Sequence, residues 1–516
     1  MRKLLYVLLI NILIFGPLLP AFALDKKATD EERAREVEKA IFMAAGAQDR
    51  VLKIGLVDCI AYALKNNSEI LIKRIEPKIK EGDIKIAKAD FEPTFTADYT
   101  LEADSKQSSS TLYPGTSKSR DVNFNAGVSG KLITGTEYNI DFLNERYRSG
   151  LSTQSPNPYY TTEPKITVTQ PLFKDFGILV NKADIIVAQN NRLQSGASFK
   201  DTVMDTISKA KTAYYNYIFH LENYAIAKLS LERAQHLLEI NKARYEKGLL
   251  SSVDLLETEA ATAQREKAVL TAEVQVKKAE DDLKLITNLV DDPETWNAKI
   301  ELIDKPEFKV EEVDLLQSLK SAFEYRPDYY SAKIDLKSRD IKVATAKNAL
   351  FPTVDLIGSF GLNGLGKDYQ DAVEHIDSKY KDWSVGLKFS LPWGSGDRAK
   401  YDQKKLEKAR ALLSFRRLEQ NIILEIRDNV RLAKTQKRQV DVANLSKEKE
   451  NQNYDAQKER YAAGQVSTHD MLDYQDKLAQ AELDYVNALI EYKIALINLD
   501  KSQGLTLVKN DIKLEE

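Results

Sequence analysis

The hydrophobic positions change period along the chain, and the changes mark out its elements. Leu56, Ile60, Ala63, Leu64 and Ile70 share one helical face, and the pattern runs on through Ile84 and Ala87 until Pro93 stops it. The period then becomes 2. Phe95, Ala97, Tyr99 and Leu101 alternate with Thr96, Asp98, Thr100 and Glu102, which predicts a strand with one apolar face. Val122, Phe124, Ala126 and Val128 repeat the pattern after a Ser-rich stretch at 105–119. Tyr138, Ile140 and Phe142 follow a turn at Thr134-Gly135-Thr136, and Ile166 and Val168 follow a loop at 149–162 and end at Pro171. Two later runs match: Val354, Leu356, Gly358, Phe360; and Trp383, Val385, Leu387, Phe389. The rest reads as helix. No Pro interrupts residues 177–247, and at ~1.5 Å per residue that stretch is roughly 105 Å long. Segments 56–90 and 254–290 are about half as long. A second set follows at 313–349, 398–463 and 469–499. In its last member Leu478, Ala481, Tyr485, Ala488, Tyr492, Ala495 and Leu499 are spaced alternately by three and four, a coiled-coil seam.

The second set repeats the first. Arg244-Tyr245-Glu246-Lys247-Gly248 is followed by Ser252, Asp254, Leu255 and Glu257; 216 residues on, Arg460-Tyr461-Ala462-Ala463-Gly464 is followed by Thr468, Asp470, Met471 and Asp473. Each copy predicts the tip of a helical hairpin: Gly closes one helix in the left-handed conformation, and Ser251 or Ser252, Ser467 or Thr468, caps the next. Ile84–Thr94 aligns with Val343–Thr353 at an offset of 259. The first half is therefore 43 residues longer between Pro93 and its tip, in the strand region.

Composition narrows the function. Charge is nearly balanced, 75 basic against 78 acidic residues, so no broad nucleic-acid surface is expected. Residues 1–23 read as a secretory signal, with Arg2 and Lys3, an apolar run and Ala21-Phe22-Ala23; a membrane anchor is the alternative. Cys59 is the only cysteine, so no intrachain disulfide is possible. No later stretch is apolar for 18 residues, so a membrane crossing would have to be a β-barrel. One apolar and one small-or-polar face is the barrel's pattern, and a soluble sandwich is the alternative. His220, His236, His375 and His469 show no ligand spacing, and no P-loop, Cys cluster or nucleophile motif is present. No enzyme, cofactor or metal site is expected.

The duplicated tips, the helix-to-strand junctions Pro93-Thr94 and Pro352-Thr353, and the strand-to-helix signals Gln170-Pro171-Leu172-Phe173 and Leu391-Pro392-Trp393-Gly394 make residues 55–505 resemble the TolC family of outer-membrane efflux proteins. The resemblance implies a mixed α and β fold: a trimeric outer-membrane β-barrel continued by a long α-helical coiled-coil barrel in the periplasm, built from two internal repeats. It divides the chain into a signal peptide (1–23), a leader (24–54), a first repeat (55–290, strands 95–171), a linker or equatorial region (291–312), a second repeat (313–505, strands 353–392) and a tail (506–516). It implies a homotrimer in outer-membrane lipid, acting with a periplasmic adaptor and an inner-membrane transporter as the duct of a tripartite efflux or type I secretion system. A secreted periplasmic coiled-coil scaffold without a channel is the alternative. The family has two strands where this chain shows four alternating segments. Either the barrel has 18 strands, or the extra pair is an extended loop hairpin; the family's 12 is the expectation here.

The resemblance also places function at the tips. Asp470 and Asp473, with repeat partners Asp254 and Glu257, would ring and gate the periplasmic mouth; the other reading makes acids in a first helical turn helix caps. Arg244, Tyr245, Gly248, Arg460, Tyr461 and Gly464 would meet the adaptor, and Arg460 and Tyr461 tie neighbouring hairpins or simply pack beneath the turn. Where the family often has Arg two residues after the second glycine, this chain has Val466, so an Arg-based lock is not expected there.

Overall fold

The computed structural model of the chain describes residues 51–108, 115–150, 155–289, 295, 297–304, 308–391 and 393–514. The signal at 1–23, most of the leader, and Pro293, Pro306 and Pro392 lie outside the described residues. In chain order the elements are β1 (Val51–Ile54), α1 (Leu56–Asn66), α2 (Ser68–Ala89), β2 (Thr94–Ser108), β3 (Gly115–Lys131), β4 (Glu137–Ser149), β5 (Tyr159–Pro171), α3 (Ile178–Asn181), α4 (Ala183–Glu246), α5 (Ser252–Thr287), β6 (Lys299–Leu302), α6 (Leu315–Tyr325), α7 (Pro327–Asn348), β7 (Thr353–Leu362), β8 (Gly364–Gly366), α8 (Tyr369–Glu374), β9 (Lys381–Ser390), α9 (Gly396–Ala462), α10 (Thr468–Ser502) and α11 (Thr506–Lys509). They form two compact units. One contains the described residues of Met1–Asn67 with Lys209–Val310 and Arg438–Ile494; the other contains Ser68–Ser208, Glu311–Lys437 and Ala495–Glu516.

The first unit holds the hairpin tips and a core beneath a two-stranded parallel ribbon. β1 pairs with β6 from Val51↔Lys299 to Ile54↔Leu302. Ile54 and Ile300 bury into a cluster with Cys59, Ala63, Tyr214, Tyr217, Leu283 and Ile490. Tyr217 donates to the Ile300 carbonyl at 2.9 Å, and Tyr214 to Asp304 Oδ2 at 3.2 Å. That carboxylate also accepts the Leu56 N–H at 2.7 Å. So the end of the expected leader is a strand. Four residues are too few for a period to show.

The second unit contains one antiparallel sheet in the order β2-β3-β4-β5-β7-β9, with β8 pairing the side of β5. β2 and β7 begin at Thr94 and Thr353, directly after the helix-ending prolines. Register places the alternating residues on common faces. Tyr99↔Phe124, Ala126↔Phe142, Ile140↔Ile166, Ile166↔Phe360 and Phe360↔Trp383 lie on one face. Asp98↔Asn125, Asp141↔Lys165, Ser359↔Ser384 and Asp355↔Lys388 lie on the other. The apolar face is exposed, with Phe95 at 71% and Trp383 at 69%. Tyr138 covers its ladder partner Gly130, where a Cβ would meet the ring. The extra strand pair lies in the same sheet as the others: β3 pairs β2 on one side and β4, from Lys131↔Glu137 to Ser119↔Ser149, on the other.

Two segments read as single helices are each broken in two. Asn67 and Arg326, equivalent at the 259-residue offset, both adopt extended backbone at ψ 123. Pro327 explains the second break, because the residue before a proline is pushed out of the helical region. Side chains hold both breaks. Asn67 donates to the Ile286 carbonyl at 3.1 Å. Arg326 grips Asp328 through Nε and Nη2 at 3.0 and 2.8 Å, Glu425 at 2.7 Å, and the Ser502 carbonyl at 3.0 Å. The segment opening at Gly177 is likewise divided, with α3 separated from α4 at Lys182.

Burial, with Asp58 beside it, pushes the Cys59 thiol up to about 12. The thiolate is the reactive form, so at pH 8 the folded protein is expected to leave Cys59 unmodified by Ellman's reagent. Denaturant should expose one reactive thiol per chain. Native labelling at a free-cysteine rate would contradict this packing.

Candidate functional site at the paired hairpin tips

Both tips are built by the same backbone turn. Gly248 and Gly464 have φ of 68° and 72°. Gly248 N–H bonds to the Tyr245 carbonyl at 2.8 Å and Leu249 N–H to Arg244 at 2.9 Å; Gly464 and Gln465 bond to Tyr461 and Arg460 at 3.1 and 2.9 Å. This pair of bonds is a Schellman motif, which satisfies carbonyls left over at a helix end. A Cβ at either glycine would meet nothing, so glycine is required for its backbone, not for space. Any L-residue there costs roughly 1–2 kcal/mol in the left-handed conformation.

The following helices start alike. Ser251 accepts the Asp254 N–H at 3.2 Å and donates to Asp254 Oδ2 at 2.7 Å. Ser467 does the same for Asp470 at 3.1 and 2.6 Å. The Ser467 hydroxyl bond holds the Asp470 carboxyl below the usual carboxylate range. Asp254 and Asp470 thus fill capping positions. Asp473 forms an ion pair with Lys477 at 2.6 Å, one turn along its own helix. Glu257 instead reaches the other tip, 2.6 Å from His469 Nδ1. The bond to Glu257, and then its charge, raise the pKa of His469, with Asp470 and Asp473 adding to the shift.

Beneath these exposed groups lies a buried polar chain that joins the hairpins. Tyr461 is 5% exposed. Its hydroxyl donates to Asn241 Oδ1 and lies 3.1 Å from the Thr468 hydroxyl. Asn241 Nδ2 donates to Thr258 Oγ1 at 2.9 Å, which donates to the Asp254 carbonyl at 2.8 Å. The Arg244 guanidinium lies 4.6 Å from the centre of the Tyr461 ring and donates to the Tyr461 carbonyl at 3.1 Å. Leu237, Tyr454, Met471, Leu472 and Leu478 pack around it, with Val466 at the margin. The repeat is not symmetric here. Tyr245 is 45% exposed, and Arg460 donates to Gln457 of its own helix at 3.2 Å.

Further down, Arg265 donates to Gln475 Oε1 at 2.6 Å and to Asp476 Oδ1 at 2.7 Å, linking α5 to α10. Arg233 makes a two-toothed contact with Glu482 at 3.0 and 3.3 Å, linking α4 to α10. Asn241, Thr258, Arg265 and Arg233 were not legible as site residues. Asn241 lies three residues before Arg244 and Thr258 four after Asp254, which places each on its neighbour's helix face. That spacing was the available signal. Among the described residues no group of His, Cys, Asp and Glu is placed to hold a metal ion, and no helix is long and apolar enough to cross a membrane.

A profile of the outer membrane efflux protein family matches residues 139–289 and 318–505. Outer membrane protein OprJ of Pseudomonas aeruginosa is 25% identical over 183 residues, a match that covers 35% of this chain and 37% of that protein's length. The CmeC outer membrane channel of Campylobacter jejuni is similar in structure, with a TM-score of 0.63 at 18% identity over 87% of this chain and 86% of that one. The outer membrane protein VceC of Vibrio cholerae gives 0.63 at 14% identity over 87% and 96%.

Two outcomes are expected from this geometry. Replacing Glu257 with Gln should lower the His469 pKa, followed by NMR titration of the imidazole. The pairing is fully present below the ordinary histidine range near pH 6.5 and is lost as pH rises through the raised folded value. Tyr461→Phe strands the Asn241 amide oxygen in a buried site and should destabilise the tip by about 1–3 kcal/mol. Hydrogen exchange of the amides around Asn241 and Thr468 should accelerate accordingly.

Proposed function

Because the chain belongs to the outer membrane efflux protein family, we propose that it is the outer-membrane duct of a tripartite efflux or type I secretion assembly. The observation that carries this reading is the sheet whose apolar face runs unbroken from β2 to β9 and is exposed. Such a face belongs against lipid, and its polar reverse lines water. The chain acts as a homotrimer, since a six-strand wall does not close alone. It is a passive conduit and performs no bond chemistry. Energy comes from an inner-membrane transporter, coupled through a periplasmic adaptor that docks on the turns at Gly248 and Gly464.

Gating is the work of the tips. The Tyr461–Asn241–Thr258 chain and the Glu257–His469 bridge join the two hairpins of one copy and hold the mouth shut. Opening separates the hairpins and breaks these bonds. Asp470 and Asp473 add negative charge at the rim, which becomes a ring in the trimer and favours cations in the closed state.

Planar-bilayer conductance of the purified trimer tests both parts. The wild type should show a small, cation-selective conductance, and Tyr461→Phe combined with Glu257→Gln should raise it several-fold. Asp470→Ala with Asp473→Ala should reduce the cation preference. A channel indifferent to the tip substitutions would remove the latch and keep the duct. Recovery of folded protein in the soluble periplasmic fraction, without conductance, would favour the coiled-coil scaffold.

A further inference from the structure

We propose that the duct's wall has 18 strands, six from each of three copies, closed by pairing β9 of one copy with β2 of the next. This rests on the trimeric duct reading and replaces the 12 strands that the resemblance implies.

The first strand pair is part of the wall. β2 pairs with β3 without a gap from Thr94↔Ser129 to Ser108↔Gly115, and β3 pairs with β4 along most of its length. The apolar face includes this pair. Phe95, Ala97, Tyr99 and Leu101 register with Val128, Ala126, Phe124 and Val122, and the row continues through Val128↔Ile140 and Ile140↔Ile166. A hairpin standing in water has no use for such a row. A wall in lipid requires it from edge to edge.

The two ends of the sheet are complementary. Among the described residues no strand pairs with the outer edge of β2 or of β9. All residues 94–103 of β2 and 383–390 of β9 are exposed, on both faces alike. Unpaired backbone donors and acceptors have no partners in hydrocarbon, so open edges do not occur there. The occupant is a second copy of the same sheet, for a directional reason. Neighbours along the six-strand path are antiparallel, so its first and last strands run in opposite directions. The exposed side of β9 therefore meets β2 of another copy in the antiparallel sense. Each copy then offers one edge and accepts another, a head-to-tail contact that closes into a ring. The bases agree in level, because Thr94 follows α2 and Ser390 precedes α9. With 10 residues against 15, β9 covers the lower part of β2 and leaves its distal end as a rim.

Width follows from strand number. Barrel diameter grows roughly in proportion to it, so 18 strands give a lumen about 1.5 times as wide as 12, in the range where porins hold an aqueous channel. The wall then offers little selection, and passage is decided elsewhere in the duct.

Cysteine cross-linking in isolated outer membranes tests the closure, in a Cys59→Ser background with a short bis-maleimide. Three pairs join β2 to β9: Ala97→Cys with Phe389→Cys, Tyr99→Cys with Leu387→Cys, and Leu101→Cys with Val385→Cys. A parallel set joins β4 to β9, with Ile140→Cys or Phe142→Cys replacing the β2 position. Tyr99→Cys with Phe124→Cys, neighbours within one chain, controls for reagent reach. A ladder of covalent dimers and trimers from at least one β2–β9 pair, and from no β4–β9 pair, is expected. Ladders from β4–β9 pairs would overturn the proposal, leaving β2 and β3 beside a 12-strand wall. An outer-membrane trimer with a positive control and no ladder from any pair would also overturn it, while sparing the duct. Absence of a trimer from the outer membrane would remove the duct itself.

Discussion

A helix or strand that stops leaves backbone N–H and C=O groups without partners, and these leftovers shape both units of the chain. At the tips, glycine folds two amides back onto the last turn of each helix, and a serine hydroxyl meets the first amides of the next. Arg244 then reaches across to the carbonyl of Tyr461, which binds one hairpin to the end of the other. In the second unit Arg326 does similar work on the Ser502 carbonyl while its charge is held by Asp328 and Glu425. Among the described residues the sheet leaves a long set of such groups on the outer edges of β2 and β9, which no strand pairs. Short helix ends are satisfied inside one chain. In lipid, as the proposed duct would place it, a strand edge of ten residues or more would be satisfied only by another strand.

The internal repeat supplies two equal scaffolds and then departs from equality where the hairpins meet. The turns at Gly248 and Gly464 share their bonds and nearly their φ angles. Yet Tyr461 is buried on Asn241 while Tyr245 is half-exposed, and Arg244 spans two hairpins while Arg460 stays on its own helix. Backbone geometry is set by local sequence, which the repeat preserves. Side-chain contacts depend on which neighbour is present, and one chain supplies each tip with a different one.

Much of this was legible because the signals were periodic or duplicated. The strands at 95–171 and 353–392 announce themselves by alternation over many residues, and the tips by two matching sets of Arg, Tyr, Gly and an acid. What was not legible has physical reasons. β1 and β6 are four residues each and are defined only by each other. The break at Asn67 carries no proline and is visible only through its equivalence to Arg326 before Pro327. Arg265 and Asn241 lie within long polar helices, where a buried polar residue looks like a solvated one until its partner is known. The acids after each tip were identified by type and spacing, but their surroundings separate them: Asp254 and Asp470 are serine-bound caps, Asp473 pairs with Lys477, and Glu257 alone crosses to the other hairpin. Val466, where an Arg lock was not expected, packs against the apolar cluster under the tip.

The chemistry of that cluster suits a gate. Each neutral hydrogen bond of Tyr461 contributes about 1 kcal/mol, because water competes for both partners once they are exposed. On the proposed gating role, three copies acting together would hold a closed mouth with several kcal/mol. Reversing a population from about 1:99 to 99:1 takes roughly 5.5 kcal/mol, which would be within reach of the proposed adaptor docking at the tips. A buried ion pair in the same place would be harder to open, since separating it strands charges in a low-dielectric site. On the proposed gating role, a neutral tyrosine–asparagine–threonine chain would close the mouth without that penalty, and the charged groups of the tip would stay at the surface, where water stabilises them in either state.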